Sequence, residues 1–317
     1  MRYHIFFLRG SSMTSEKDLK TILKNIEYRD DAQVQKQIVD QSIDVKIRMG
    51  RIKRKIVVMS GKGGVGKSMT TANLALAFAR AGHQVGVLDV DLNGPCIPKM
   101  LGVQGKFEIT PDGAIPPVGP YGMKIASMEF FLKQEDTPVQ WKGPMELSPV
   151  WLGLMEMNVI REFLADIVWG EMDYLFTDLP PGAAADKPPV ITSFIPELDG
   201  AVVVATPSEV TKAVVKKSIH YARGAGMPML GLIENMSGAL CPECSTTVPL
   251  YEGGCADLCA EMDVPLLGKI PFDRQLANAC DQGKPLSDEH PITKHFDAIA
   301  SHLHAFLESK KVKLTHP

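Results

Sequence analysis

The sequence predicts a doubly wound α/β domain built on a mostly parallel sheet. Three observations carry that prediction. From residue 55 onward, short apolar strands alternate with helical stretches. Some strands are apolar without a break, as in Ala201-Val202-Val203-Val204-Ala205, which suits strands covered on both faces. Two strands, Gly86-Val87-Leu88-Asp89 and Tyr174-Leu175-Phe176-Thr177-Asp178, end in aspartate. Ligands of such folds collect at those carboxyl ends.

The elements follow in order. Residues 1–53 form an N-terminal extension, partly helical or disordered, with apolar residues at helical spacing over 18–26 and 32–43. The basic run from Lys46 to Lys55 reads as a solvated lead-in to the first strand. Strands are expected at 56–59, 84–89, 123–127, 174–177, 201–205, 229–234 and 265–270, and helices at 69–82, 146–168, 208–225, 255–262 and 292–308. The Pro- and Gly-rich stretch 111–121 reads as a surface loop. One domain therefore spans 54–309, and 310–317 is a tail.

Composition narrows the function classes. With 45% hydrophobic and 22% charged residues, the 317-residue chain has the make-up of a soluble globular protein. A net charge of −3 leaves no electrostatic footprint for nucleic acid. No apolar run is long enough to span a bilayer, and no secretory cleavage pattern follows the first residues. The expectation is a cytoplasmic protein with neither a membrane nor a nucleic-acid partner.

The most specific motif is Gly61-Lys62-Gly63-Gly64-Val65-Gly66-Lys67-Ser68, between an apolar strand and a helix opening at Met69. Strand, glycine-rich loop and helix in that order build a phosphate cradle, a P-loop. The glycines let backbone N–H groups turn toward an anion, and the helix N-terminus adds partial positive charge. Residues Gly61 to Met69 are therefore the expected nucleotide-binding stretch. Lys67 reaches the β- and γ-phosphates, and the Ser68 hydroxyl holds Mg²⁺. Asp89 and Asp178, each ending an apolar strand, read as candidate carboxylates of the Mg²⁺ site beside the loop. Phosphoryl transfer needs mostly positioning and charge stabilisation, so Lys67, Lys62 and Mg²⁺ should dominate the rate of ATP hydrolysis.

Six cysteines sit at 96, 241, 244, 255, 259 and 280. In a reducing compartment they are not expected to form structural disulfides. The C-x-x-C of Cys241-Pro242-Glu243-Cys244 brings two thiols within reach of one metal. It reads as a redox dithiol, half of a zinc knuckle, or half of an iron–sulfur site, and its position in a loop rather than at a helix start ranks the dithiol last. Cys255 and Cys259, at i and i+4, read either as buried small apolar residues or as partners of Cys241 and Cys244 in a four-thiolate site within one subunit. Cys96 and Cys280 read as packing residues.

The loop Lys62-Gly63-Gly64-Val65-Gly66-Lys67-Ser68 resembles the deviant Walker A loop of the nitrogenase iron protein and septum-positioning ATPase class. That resemblance implies a nucleotide-dependent homodimer in which Lys62 touches the partner's nucleotide. It also implies that Asp91 orients the attacking water, that Asp89 lies near Mg²⁺, and that Pro180-Pro181-Gly182 senses the γ-phosphate. Taken with Asp91-Leu92-Asn93-Gly94-Pro95, Trp141-Lys142-Gly143-Pro144-Met145, Asn235-Met236-Ser237, Cys241-Pro242-Glu243-Cys244 and Gly268-Lys269-Ile270-Pro271-Phe272-Asp273, the chain resembles the Mrp-type P-loop ATPases of the iron–sulfur cluster carrier family from about Lys55 to His304. The family implies a homodimer that hydrolyses ATP, bridges a 4Fe–4S cluster through Cys241 and Cys244 of each copy, and passes it to apo iron–sulfur proteins. It further implies that Asn235 and the backbone near Pro271 contact adenine. The other readings are a zinc-stabilised ATP-binding regulator and a partitioning-type ATPase switch, both without cluster transfer. Three features depart from the family. The four-cysteine N-terminal motif of its eukaryotic branch is absent, the small N-terminal domain of many bacterial relatives is missing or reduced to 14–53, and Ala183-Ala184-Ala185-Asp186 replaces the usual Thr-Gly-Asp, which implies a slow ATPase.

Overall fold

In the computed structural model, residues 31–91, 94–131, 160–181, 192–241, 243–244 and 246–314 are described. Helix α1 (Asp31–Met49) leads into strand β1 (Ile52–Ser60), followed by the phosphate-loop helix α2 (Lys67–Arg80). Next come β2 (Val85–Asp89), the five-residue helix α3 (Ile97–Leu101), a hairpin of β3 (Glu108–Thr110) and β4 (Gly113–Ile115), β5 (Lys124–Ser127) and β6 (Met172–Asp178). The second half contains β7 (Gly200–Ala205), α4 (Glu209–Gly224), β8 (Met229–Leu240), β9 (Thr247–Pro249), α5 (Ala256–Glu261), β10 (Leu266–Phe272), α6 (Arg274–Gln282) and α7 (Pro291–Leu314).

Seven strands pair in the order β10-β8-β7-β1-β6-β2-β5, all parallel, and β9 adds antiparallel to β8. The doubly wound, mostly parallel α/β sheet expected from the sequence is the fold. Its central strands are apolar because both faces are covered: every residue of β2 and β7 is buried. Every strand expected from the sequence forms. The phosphate loop leaves the central strand β1, so it stands above the middle of the sheet with β6 on one side and β7 on the other.

Several expectations need correcting. The stretch 111–121 is not wholly loop, because Thr110-Pro111-Asp112-Gly113 makes a tight turn between β3 and β4. Gly113 takes φ 136°, and a Cβ there would lie 2.2 Å from the Asp166 carbonyl. Helices α3 and α6 were not anticipated. For α6 the signals are local: Asp273 accepts from the N–H groups of Gln275 (2.6 Å) and Leu276 (3.0 Å), and Gly283 ends the helix in the left-handed region. Helix α7 runs through the expected tail to Leu314. The expected helix at 146–168 is helical over 160–166 within the described residues. The helix expected at 18–26 lies outside them.

Part of the basic lead-in is spent on the fold, while Lys46 and Arg51 stay exposed as expected. Lys53 pairs with Asp173 (2.7 Å), and Arg54 with Asp199 and Glu308 (both 2.9 Å). Buried Lys55 donates to the carbonyls of Ile52 (3.1 Å) and Met49 (3.4 Å), capping the end of α1. Arg48 donates to the carbonyls of Ala165 and Asp112. With Val45 and Met49 buried, these contacts tie α1 to the sheet.

Candidate nucleotide site and cysteine hairpin

The phosphate loop folds as its glycines require. Gly64 and Gly66 both take φ 80°, a region that costs other residues about 1–2 kcal/mol. Gly61 is buried against α4, where a Cβ would lie 3.0 Å from Val214 Cγ1. Lys62 is exposed on the loop rim. Gly63 faces Pro181, 3.8 Å from where its Cβ would be. This places the loop beside the start of the Pro180-Pro181-Gly182 segment, of which Gly182 and the Ala183–Asp186 stretch lie outside the described residues.

Behind the loop stands a buried polar centre. Lys67 Nζ donates to Asp178 Oδ2 at 2.5 Å, and Ser68 Oγ donates to the same oxygen at 2.6 Å. Thr71 Oγ1 donates to the other oxygen, Oδ1, at 2.6 Å. Asp178 is fully buried at the end of β6, and Lys67 is 6% exposed. One carboxylate is thus held by three side chains from the first turns of α2. Thr71 went unnoticed in the sequence, although its helical spacing from Lys67 and Ser68 places all three on one face of α2.

Asp89 lies directly beside Asp178 in the β2–β6 register. It accepts from the backbone N–H groups of Asp91 (3.2 Å), Cys96 (3.1 Å) and Ile97 (3.3 Å), and so shapes the loop that carries Asp91. Burial, and then the neighbouring Asp178 carboxylate, push the Asp89 carboxyl up to about 7. Asp91 is half-buried and accepts from the Gly94 N–H at 3.3 Å. Cys96, expected only to pack, sits in this wall, with its thiol in hydrogen-bond contact with Ser68; burial and Asp89 push that thiol up to about 11. Cys280 does pack, 9% exposed beside Asn73.

Asn235 is placed at the loop. Its side chain is buried and donates from Nδ2 to the Val65 carbonyl at 2.8 Å. A Cβ on Gly66 would lie 2.2 Å from the same nitrogen, so the close approach of β8 demands glycine there. Pro271 is buried on β10, next to Ile270, which pairs with Asn235. The two residues expected near adenine therefore sit together on neighbouring strands.

Strand β8 does not stop where the sequence suggested. Met236 takes a left-handed φ of 55°, and the strand continues to Leu240, where it turns into β9. Cys241 and Cys244 lie in that hairpin turn, which is closed by the Cys241 N–H donating to the Thr246 carbonyl at 2.9 Å. Cys241 is half-buried and Cys244 exposed. Hydrogen bonds from the Thr246 side chain and backbone, then from the Cys241 thiol, pull the Cys244 thiol below its ordinary range. A pair of soft donors in one turn, Cys244 exposed and favouring the thiolate, suits iron or zinc.

Cys255 and Cys259 do not join them. Both are buried, 0% and 6% exposed. The Cys255 N–H donates to buried Glu234 at 2.5 Å, and its thiol donates to the Thr206 carbonyl at 3.8 Å. Burial, then Glu234, pushes these thiols up to about 12 and 11. Among the described residues no group of three or more His, Cys, Asp or Glu is arranged to hold a metal, so the four-thiolate site within one subunit does not form. In mildly alkaline solution iodoacetamide should label Cys244 first and spare Cys255 and Cys259 until the protein unfolds, which peptide mass mapping would read. Because the folded-state values are raised, these thiols favour folding below the ordinary thiol range and lose that contribution as pH climbs toward 12.

Comparison with known proteins assigns the chain to a family. The family model described as "ParA: NUBPL iron-transfer P-loop NTPase" matches residues 51–304. The chain belongs to the NUBPL-type iron-transfer P-loop NTPases. Within that family it is 42% identical over 288 residues to the iron-sulfur cluster carrier protein of Saccharolobus solfataricus, covering 89% of this chain and 94% of the relative. It is 44% identical over 253 residues to the protein of the same name from Methanocaldococcus jannaschii, covering 79% and 83%. Among solved structures, a nucleotide-binding protein from Archaeoglobus fulgidus in complex with ADP is 36% identical, with TM-score 0.67 over 80% of this chain and 96% of that one. The MinD cell-division ATPase of Pyrococcus furiosus, 22% identical with TM-score 0.53 over 80% and 99%, shares the fold. Among the described residues no helix is long and apolar enough to cross a membrane.

Proposed function

We propose that this P-loop NTPase is a cytoplasmic iron–sulfur cluster carrier that binds and hydrolyses Mg²⁺-ATP, holds a 4Fe–4S cluster between two copies, and delivers it to apo iron–sulfur proteins. One observation carries the reading: strand β8 serves both sites. Asn235 is hydrogen-bonded to the phosphate loop at Val65, and five residues after Met236 the same strand reaches Cys241. A change at the phosphates therefore has a short, packed route to the thiols. The names of the relatives, cluster carrier proteins and an ADP-bound nucleotide-binding protein, support each half.

The residues fit the groups. Ser68 Oγ and Asp178 Oδ2, 2.6 Å apart, are hard oxygen donors of the kind Mg²⁺ prefers, with Asp89 behind them. Bound there, Mg²⁺ neutralises phosphate charge. Lys67, now held by Asp178, supplies its ammonium to the β- and γ-phosphates, and the N–H groups of 61–69 cradle them. Asp91 orients the attacking water. Lys62, exposed on the rim, reaches the nucleotide of the second copy, so Lys62→Ala should keep ATP binding and lose hydrolysis. Equal loss of both would argue against a role across the dimer.

Anaerobic reconstitution with iron and sulfide tests the carrier reading. The expected product is a brown dimer with roughly four irons. Cys241→Ala and Cys244→Ala should each abolish it while leaving ATP binding intact. Stoichiometric zinc without cluster uptake would sink the proposal.

A further inference from the structure

Glu234 is a buried carboxylate, 1% exposed, that belongs to neither the phosphate loop nor the thiol pair. It sits on β8 immediately before Asn235. Strand alternation turns the two side chains to opposite faces. Asn235 holds the phosphate loop at Val65. Glu234 holds the chain where it returns from the cysteine hairpin. Its Oε2 accepts from the Cys255 N–H at 2.5 Å, and its Oε1 lies 3.4 Å from Nζ of Lys269, its paired residue on β10. Gly254 comes close to this ion pair, since a Cβ there would lie 3.0 Å from Glu234 Oε2 and 3.1 Å from Lys269 Nζ. The Cys255 thiol adds a bond to the Thr206 carbonyl just beyond β7. The hairpin therefore stands on two legs. One leaves β8 through Met236, whose left-handed φ of 55° bends the arm on its way to Cys241. The other comes back at Cys255 onto Glu234.

We infer that Glu234 is a positioning residue: it locks the return leg of the hairpin to the strand that braces the phosphate loop, so that nucleotide at the loop shifts Cys241 and Cys244 as one body. The inference rests on the carrier reading and names the residue through which its two sites communicate. A hairpin attached at Met236 alone would swing about that bend, and a displacement of Asn235 would be lost in the swing. With both oxygens of Glu234 engaged, the two legs are tied to neighbouring residues of β8 and move with it. Truncating Glu234 orphans the buried Cys255 N–H and takes the carboxylate from Lys269, which frees that leg.

The test uses the full reduced chain without iron, at a concentration where sedimentation velocity shows a monomer with and without Mg²⁺-ATP. Alkylation of Cys244 by iodoacetamide is timed by peptide mass mapping in both conditions, and ATP affinity is measured alongside. In the wild type, Mg²⁺-ATP should change the rate at least ~5-fold, the low end of ordinary coupling between two sites. Glu234→Ala should still bind ATP but alkylate at one rate in both conditions. Glu234→Gln, whose amide oxygen still accepts the Cys255 N–H, should keep the nucleotide effect, a rescue that a general loosening of the fold would not give. Gly254→Val pries the same contact apart from outside the strand and should flatten the effect too; it carries the test if Glu234→Ala does not fold. A nucleotide effect like wild type in Gly254→Val, or in a folded Glu234→Ala, would overturn the inference. A wild type whose rate ignores nucleotide would overturn it as well. Neither outcome touches the carrier reading, which stands or falls on cluster uptake in the anaerobic reconstitution.

Discussion

Lys67→Ala is expected to abolish nucleotide binding and to destabilise the protein. The binding loss has a direct cause: the loop keeps its N–H groups but loses the cation that meets the β- and γ-phosphates. The stability loss comes from Asp178. That carboxylate is fully buried, and Lys67 is its ion-pair partner at 2.5 Å. Removing one member of a buried pair leaves the other charge uncompensated, at a cost of about 3–5 kcal/mol. Ser68 and Thr71 still donate to Asp178 and soften that cost, which places the expected value at the lower end of the range. Denaturant unfolding and equilibrium ATP binding read the two effects separately. Adding Asp178→Asn should recover stability by removing the unpaired charge, without recovering binding. A single variant as stable as wild type would show that the pair is not what keeps Asp178 buried.

Gly66→Ala should be nearly as damaging, for two separable reasons. Alanine at φ 80° carries about 1–2 kcal/mol of backbone strain. Its Cβ would also lie 2.2 Å from Asn235 Nδ2, too close for any contact, so either β8 or the loop must move. Overpacking of this kind costs about 1–3 kcal/mol more. Adding Asn235→Ala relieves the clash and leaves the strain. The double variant should thus be more stable than Gly66→Ala, yet still bind ATP at least ~10-fold more weakly than wild type, since a misplaced loop costs more than one hydrogen bond's ~1.4 kcal/mol. Wild-type affinity in Gly66→Ala would show that the loop tolerates a Cβ and that Asn235 does not brace it.

The strands, the phosphate loop and the carboxylates at the strand ends were legible in the sequence because each is written locally. Alternation, glycine spacing and a strand-end aspartate are each read within a window of about ten residues. The missed elements had local signals too. Asp273 and Gly283 bracket α6, and Thr110-Pro111-Asp112-Gly113 spells the β3–β4 turn. The six cysteines show where local reading stops. Spacing groups 241, 244, 255 and 259 together, but the fold separates an exposed hairpin turn from a buried helix. Cys96, which looked isolated, is carried to Ser68 by the turn that Asp89 organises.

The sequence by itself determined the sheet, the loop and which donor groups each motif offers. Which motifs meet was decided only by the tertiary structure. Thr71 finds Asp178 across 107 residues, and Asn235 finds Val65 across 170. Parallel strand order sets both contacts, because it places β6 and β8 near a loop that leaves the central strand β1. A parallel sheet joins strands distant in the chain, and its register is settled by burial of the whole core rather than by any one segment. For the same reason Phe272, Ala239 and Val248 cannot be read together in the sequence: they come from three strands, and only strand pairing brings them side by side.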